Sequence, residues 1–102
     1  MTNGAIQTTQ NANVPSILSG TTALPANRER IAFTIQNLGT NPLFVLLGAG
    51  ASTSVFHIIL KGSTLANDGS GGSLAMEAGV VYNGVITVAG TSPSYVVTEM
   101  AP

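Results

Sequence analysis

The sequence predicts an all-β protein, a single β-sandwich or jelly-roll-like domain with an extended N-terminal arm. Three observations predict this fold: short segments in which apolar and polar residues alternate, frequent Gly, Pro and Asn between those segments, and no window with a capped helical period. The length of 102 residues fits one domain. We expect the arm to comprise residues 1–27 and the sandwich to comprise residues 28–102.

The N-terminal arm is rich in Thr, Asn, Gln and Ser, and Pro15 and Pro25 prevent a continuous helix. We expect an extended segment with one or two short strands. Chain ends are often loose, but isolated aliphatic side chains in a polar arm gain most by docking on a neighbouring molecule. Four of them are therefore expected to contact a partner: Ile6, Val14, Ile17 and Leu18.

The other strands are predicted from apolar patterning and from the turn residues between them. They are residues 31–36, 43–47, 54–60, 80–88 and 95–100. Within residues 80–88, Asn83-Gly84 favours the type I′ turn of a tight hairpin. Residues 67–73 consist of Gly, Ser, Asn and Asp, and we expect them to form a flexible loop.

Residues 43–47 and 54–60 are apolar on both faces of their predicted strands. In the second of these strands, Phe56, Ile58 and Leu60 are expected to face the core. A two-layer sandwich buries only one face of each sheet, so the arm or a partner subunit must cover the other face. We expect self-association through the side chains on that second face, which are Phe44, Leu46, Val55, His57 and Ile59.

Charged residues make up 7% of the chain, against about 25% in ordinary globular proteins, and the net charge is −1. This composition lacks the basic footprint of a protein that binds nucleic acid or an anionic membrane. A neutral surface costs little free energy to remove from water, which suits a protein that becomes part of an assembly. Glu29, with Arg28 and Arg30 beside it, is expected to form a salt-bridged entry to the first sandwich strand.

Residues capable of catalysis or metal binding are scarce in this sequence. There is no cysteine, His57 is the single histidine, and no nucleophile-elbow motif is present. Gly48-Ala49-Gly50 lacks the third glycine of a dinucleotide fingerprint, and the loop at Asp68 has too few carboxylates for calcium. We therefore expect no enzymatic activity, no cofactor and no metal. His57 is expected to pack on a half-buried strand face, with a pH-sensitive subunit contact as the alternative.

An ordered series of β-rich blocks runs through most of the chain. The blocks are Asn27-Arg28-Glu29-Arg30, Ile35-Gln36-Asn37-Leu38-Gly39, Pro42-Leu43-Phe44-Val45, Gly48-Ala49-Gly50-Ala51-Ser52, Phe56-His57-Ile58-Ile59-Leu60, Asp68-Gly69-Ser70-Gly71-Gly72, Tyr82-Asn83-Gly84 and Val88-Ala89-Gly90-Thr91-Ser92-Pro93. In these blocks the span from Asn27 to Glu99 resembles the capsid decoration (cement) proteins of tailed bacteriophages.

The resemblance implies a structural virion protein on the capsid exterior, made in the host cytoplasm. Such a protein would bind the outer surface of the major capsid protein shell as a homo-oligomer, with a trimer favoured. It would need neither nucleic acid nor a membrane as a partner. Two alternatives remain: a tail, baseplate or fibre component of a phage, and a receptor- or glycan-binding β-sandwich module.

Overall fold

The computed structural model describes residues 5–11, 17–77 and 79–101. Within these ranges the chain forms eight strands and no helix. The strands are β1 (Ala5–Asn11), β2 (Ile17–Leu24), β3 (Ala32–Asn37), β4 (Leu43–Leu46), β5 (Ile58–Leu60), β6 (Ser73–Met76), β7 (Ile86–Thr91) and β8 (Tyr95–Ala101). The all-β prediction is confirmed.

The strands form two four-stranded antiparallel sheets. Sheet I has the order β1-β8-β3-β6, and sheet II has the order β2-β7-β4-β5. The pairing is nested: β1 pairs with β8, β2 with β7, β3 with β6, and β4 with β5. This is the winding of a long hairpin rolled into two sheets, as in a jelly roll, and the predicted β-sandwich is confirmed.

The core lies between the two sheets and is built from alternate residues of each strand. Phe33 and Ile35 of β3 point inward from sheet I, and Leu43 and Val45 of β4 point inward from sheet II. The intervening residues of both strands are more exposed, as the two-residue period of a strand requires. The core is completed by Ala23, Leu24, Leu60, Ile86, Val88, Tyr95 and Val97.

Three predicted strands, at residues 31–36, 43–47 and 95–100, are confirmed to within a residue at each end. In residues 54–60 only the last three form a strand, because residues 53–55 bend before β5 begins. A further strand, β6, was not predicted. Its start follows Gly72, and its inward residues, Leu74 and Met76, are only partly buried against the core.

The predicted hairpin at residues 80–88 is wrong. Neither Asn83 nor Gly84 has the positive φ that a type I′ turn requires, and β7 begins only at Ile86. The Asn83 side-chain amide instead donates hydrogen bonds to the carbonyl oxygens of Asn27 and Arg30, both at 3.0 Å. These contacts with a distant loop override the local turn preference of the dipeptide.

The buried face of β3 gives a direct test of this packing. Ile35 is fully buried between the sheets, whereas its neighbour Thr34 is exposed. We expect Ile35→Ala to lower the free energy of unfolding by about 2–5 kcal/mol, because it leaves a cavity in the core. Thr34→Ala is the control and should cost less than about 1 kcal/mol. Urea unfolding of both variants measures the difference, and equal losses would contradict the assigned faces.

Candidate functional site

The outer face of sheet II carries a group of partly exposed apolar side chains, called here the outer cluster: Phe44, Leu46, Phe56 and Ile59. Phe44 and Ile59 are directly paired across β4 and β5. Leu46 shares the face of Phe44, because both alternate with core residues of β4. Ile59 is 47% exposed, and Val55, in the loop that leads to Phe56, is 52% exposed. Three of the five predicted face residues, Phe44, Leu46 and Ile59, thus lie on neighbouring strands of this face, whereas Val55 and His57 lie in the loop before β5.

Phe56 was expected to face the core together with Ile58 and Leu60, and the structure corrects this. Its ring lies 5.1 Å from the ring of Phe44 at an interplanar angle of 64°, an edge-to-face contact on the outer side of the sheet. Residue 56 precedes the strand, so the alternation that holds for Ile58–Leu60 does not extend to it. Phe56 therefore adds to the outer cluster.

His57 also precedes β5 and is exposed, not half-buried on a strand as predicted. Its Nδ1 accepts a hydrogen bond from the Leu47 amide at 3.1 Å, and its own amide donates to the Val45 carbonyl at 2.8 Å. These two bonds tie the end of β4 to the start of β5. The structure thus gives His57 a local role in closing this connection.

The loop after β4 covers part of the outer side of sheet II at β7. Thr87 of β7 donates a hydrogen bond to the Gly48 carbonyl at 2.6 Å and accepts one from the Ala51 amide at 3.1 Å. Thr87, Ala89 and Ala51 are consequently buried. Among the side chains that the structure describes on this sheet, outward apolar surface is concentrated on β4, β5 and the loop that joins them.

The outer face of sheet I is neutral as well but less apolar. Its outward residues on the two central strands are Ala32, Thr34, Gln36, Val96, Thr98 and Met100. The shallow depression there has a volume of about 70 Å³. Small-molecule sites usually have volumes of about 300–1,000 Å³, so this depression is too small for one.

Charge is confined to the ends of the sandwich and to one buried pair. In the eight strands the only charged residue is Glu99 of β8. The exposed charged residues of the described chain all lie in connections: Arg28 and Glu29 before β3, Lys61 and Asp68 between β5 and β6, and Glu77 after β6. Both outer sheet faces are therefore free of Asp, Glu, Lys and Arg.

Arg30 and Glu99 form a buried ion pair, with Nε of Arg30 2.8 Å from a Glu99 carboxylate oxygen. The guanidinium also donates to the carbonyl oxygens of Tyr82 at 2.8 Å, Gly84 at 3.0 Å and Pro25 at 2.6 Å. This corrects the expectation that Arg30 forms a surface pair with Glu29. The parity of β8 could have shown it, because Glu99 falls on the same inward side as Tyr95 and Val97, and a buried carboxylate needs a partner.

A second buried polar group, Asn37, closes the opposite end of the sandwich. Its amide nitrogen donates to the carbonyl oxygens of Asn41 at 2.8 Å, Leu60 at 3.1 Å and Lys61 at 3.2 Å. The Asn37 carbonyl is approached so closely by Gly71 that a β-carbon there would collide with it. The glycine-rich segment 67–72 thus packs against the end of β3.

The described parts of the predicted arm are edge strands of the two sheets. Ile6 lies on β1 opposite Met100, and Ile17 and Leu18 lie on β2 opposite Thr91 and Gly90. Val14 lies outside the described residues. That these aliphatic residues contact a partner stays a prediction.

Two other features are absent from the described ranges, a metal site and a helix that could span a membrane. No group of three or more His, Cys, Asp or Glu residues could hold a metal ion there. No helix in the same part of the chain is long and apolar enough to cross a membrane.

Replacement of the buried ion pair tests its role. Arg30→Ala leaves the Glu99 carboxylate buried without its partner, so we expect a loss of about 3–5 kcal/mol in the free energy of unfolding. The double replacement Arg30→Met with Glu99→Leu should recover part of that loss, because it removes the unpaired carboxylate but leaves the three carbonyl oxygens without the guanidinium. Exposed Arg28→Ala is the control and should change stability by less than about 0.5 kcal/mol. Urea unfolding measures all three, and equal effects of the two alanine variants would refute the assignment.

The stability of the loop that contains Asp68 is expected to depend on pH. Hydrogen bonds from the Ser70 hydroxyl at 2.6 Å, the Ser70 amide at 2.8 Å and the Leu65 amide at 2.9 Å lower the pKa of this carboxyl below its ordinary value of 3.8. The ionised carboxylate therefore holds the loop fully above pH 3.8, and this contribution is lost as pH falls through the lower pKa of the folded protein.

We expect Ser70→Ala to raise the midpoint at which Asp68 titrates, because the largest cause of the lowered pKa is removed. A carbon NMR titration of the Asp68 carboxyl measures the midpoint. Ser73→Ala, at an exposed position just beyond the loop, is the control and should leave it unchanged. An unaltered midpoint in Ser70→Ala would show that the hydroxyl does not stabilise the carboxylate.

Comparison with known proteins identifies no relative of this chain. No family model matches it, and neither a curated protein nor a solved structure matches it.

Proposed function

We propose that this protein is a structural virion protein that decorates and stabilises a bacteriophage capsid. It binds the outer surface of the major capsid protein shell as a homo-oligomer, with a trimer favoured. The observation that carries this proposal is the absence of charged side chains from both outer sheet faces in the described part of the chain. Exposed charge lies only in the connections at the ends of the sandwich.

Neutral sheet faces suit a protein whose work is to lie against other proteins. Charged groups lose favourable hydration when a contact forms, and this loss is offset only where the other protein supplies a well-placed partner of opposite charge. Hydroxyl, amide and apolar groups are cheaper to desolvate, and their contacts are less sensitive to salt. A surface of this kind supports many modest, repeated contacts on a symmetric shell.

The stabilising mechanism is mass action. A protein that binds the assembled shell but not its separated subunits shifts the equilibrium towards the shell, in proportion to its affinity and occupancy. Symmetric copies add avidity, because each contact of an oligomer holds the others close to their own sites. No catalytic group is needed for this function.

Jelly rolls serve viral capsid proteins, lectins and cupins alike, so the choice between a capsid protein and a glycan-binding module is decided by the surface and not by the fold. The glycan-binding alternative needs exposed aromatic rings for stacking on sugars. Tyr95 is buried in the core and Tyr82 is partly buried against it. The other partly exposed rings are those of Phe44 and Phe56, which lack the polar groups that orient a sugar. The outer cluster thus favours a protein partner over a glycan.

Copy number in the virion tests the proposal. We expect quantitative mass spectrometry of purified particles to find this protein at a fixed symmetric fraction of the major capsid protein. A handful of copies per particle would support the alternative of a tail, baseplate or fibre component. Complete absence from particles would refute the virion proposal and favour the alternative of a glycan-binding module.

A further inference from the structure

We propose that the outer cluster is the surface through which copies of this chain meet around a rotation axis. The cluster consists of Phe44, Leu46, Phe56 and Ile59, with exposed Val55 beside it in sequence. This inference deepens the proposed function, which requires copies to assemble, but it concerns the free protein and does not depend on a shell.

The charge distribution favours a second copy as the occupant. Residues that lie on or close to a rotation axis come near their own copies, so a single charge there is repeated and repels itself. All four strands of sheet II lack Asp, Glu, Lys and Arg, and so does the loop from residue 47 to residue 57. A contact between identical copies of this face therefore brings no like charges together.

Other occupants fit the cluster less well. Nucleic acid and anionic membrane surfaces need cations beside the apolar groups, and the face supplies none. A strand added at either edge of sheet II is also disfavoured. The edge strand β2 has register shifts between Leu18 and Thr21 and between Thr22 and Leu24, and the edge strand β5 has only three residues before Lys61. The outward side chains of β4 and β5, rather than a strand edge, offer the contact.

The size of the cluster sets the expected strength of association. A stable specific interface buries about 800 Å² on each partner. An apolar patch of four or five side chains provides on the order of a few hundred Å². Neighbouring polar surface, such as the exposed loop residues Thr53 and Ser54, must supply the rest. We therefore expect reversible association that depends on concentration, rather than a permanent oligomer.

Sedimentation velocity on the purified full chain tests the proposal. Between about 5 µM and about 500 µM the average mass should rise from that of the monomer to that of a dimer or trimer. Ile59→Glu should raise the apparent dissociation constant by about tenfold or more, because it repeats a buried charge around the axis. Val55→Glu changes a loop residue outside the strands and should act in the same direction.

Leu65→Glu is the matched control. Leu65 is 69% exposed but lies in the connection between β5 and β6, at the other end of the sandwich from the loop that carries Val55. The same change in charge there should leave the dissociation constant within about twofold of the unaltered protein. Unfolding curves show that each variant is folded before its mass is compared.

Three results would overturn the proposal: a monomer at every concentration, assembly of both cluster variants like the unaltered protein, or an equal loss in the Leu65 variant. These results are separate from those of the virion measurement. A monomer found at a fixed fraction of the major capsid protein would remove the self-association face and leave shell decoration standing. A self-associating protein absent from particles would do the reverse.

Discussion

The buried pair of Arg30 and Glu99 is the interaction on which the arrangement of this fold depends. One guanidinium group reaches the carboxylate on β8 and the carbonyl oxygens of Pro25, Tyr82 and Gly84. It thereby joins the β2–β3 connection, the β6–β7 connection and the last strand at one end of the sandwich. Without this group, the partly buried carbonyl oxygens of two irregular connections would lose the donor that they share. In both connections the backbone conformation follows these hydrogen bonds rather than the turn preferences of the local sequence.

Strand β3 links this network to the one at the other end. Arg30 lies two residues before the strand and Asn37 ends it, so a single central strand joins both polar networks. Each end of the sandwich is therefore fastened by groups that lie inside the protein. Most outward side chains of the two sheets take no part in these two networks, and they can serve contacts with other molecules.

The alternation of apolar and polar residues predicted the features of this structure that depend on a single strand. Alternation at residues 31–36 and the apolar run at residues 43–47 follow directly from which sides of those strands meet the core. The nested pairing of distant strands could not be predicted, because many topologies satisfy the same alternation. The hairpin at Asn83-Gly84 failed because its preference, worth little by itself, competes with hydrogen bonds to residues more than fifty positions away. The outer cluster was largely predicted, and Phe56 was missed because a bend interrupts the alternation.

The retention of an ion pair in so uncharged a chain is informative about its role. Replacing a buried pair by apolar residues of similar size is often neutral or stabilising, so stability alone does not explain Arg30 and Glu99. An apolar core can accept several arrangements of the loops that cover it, whereas a guanidinium with fixed donor directions accepts few. The pair therefore contributes a unique shape at that end of the sandwich. Such uniqueness is what a repeated contact needs, since every copy must present the same surface to its neighbours.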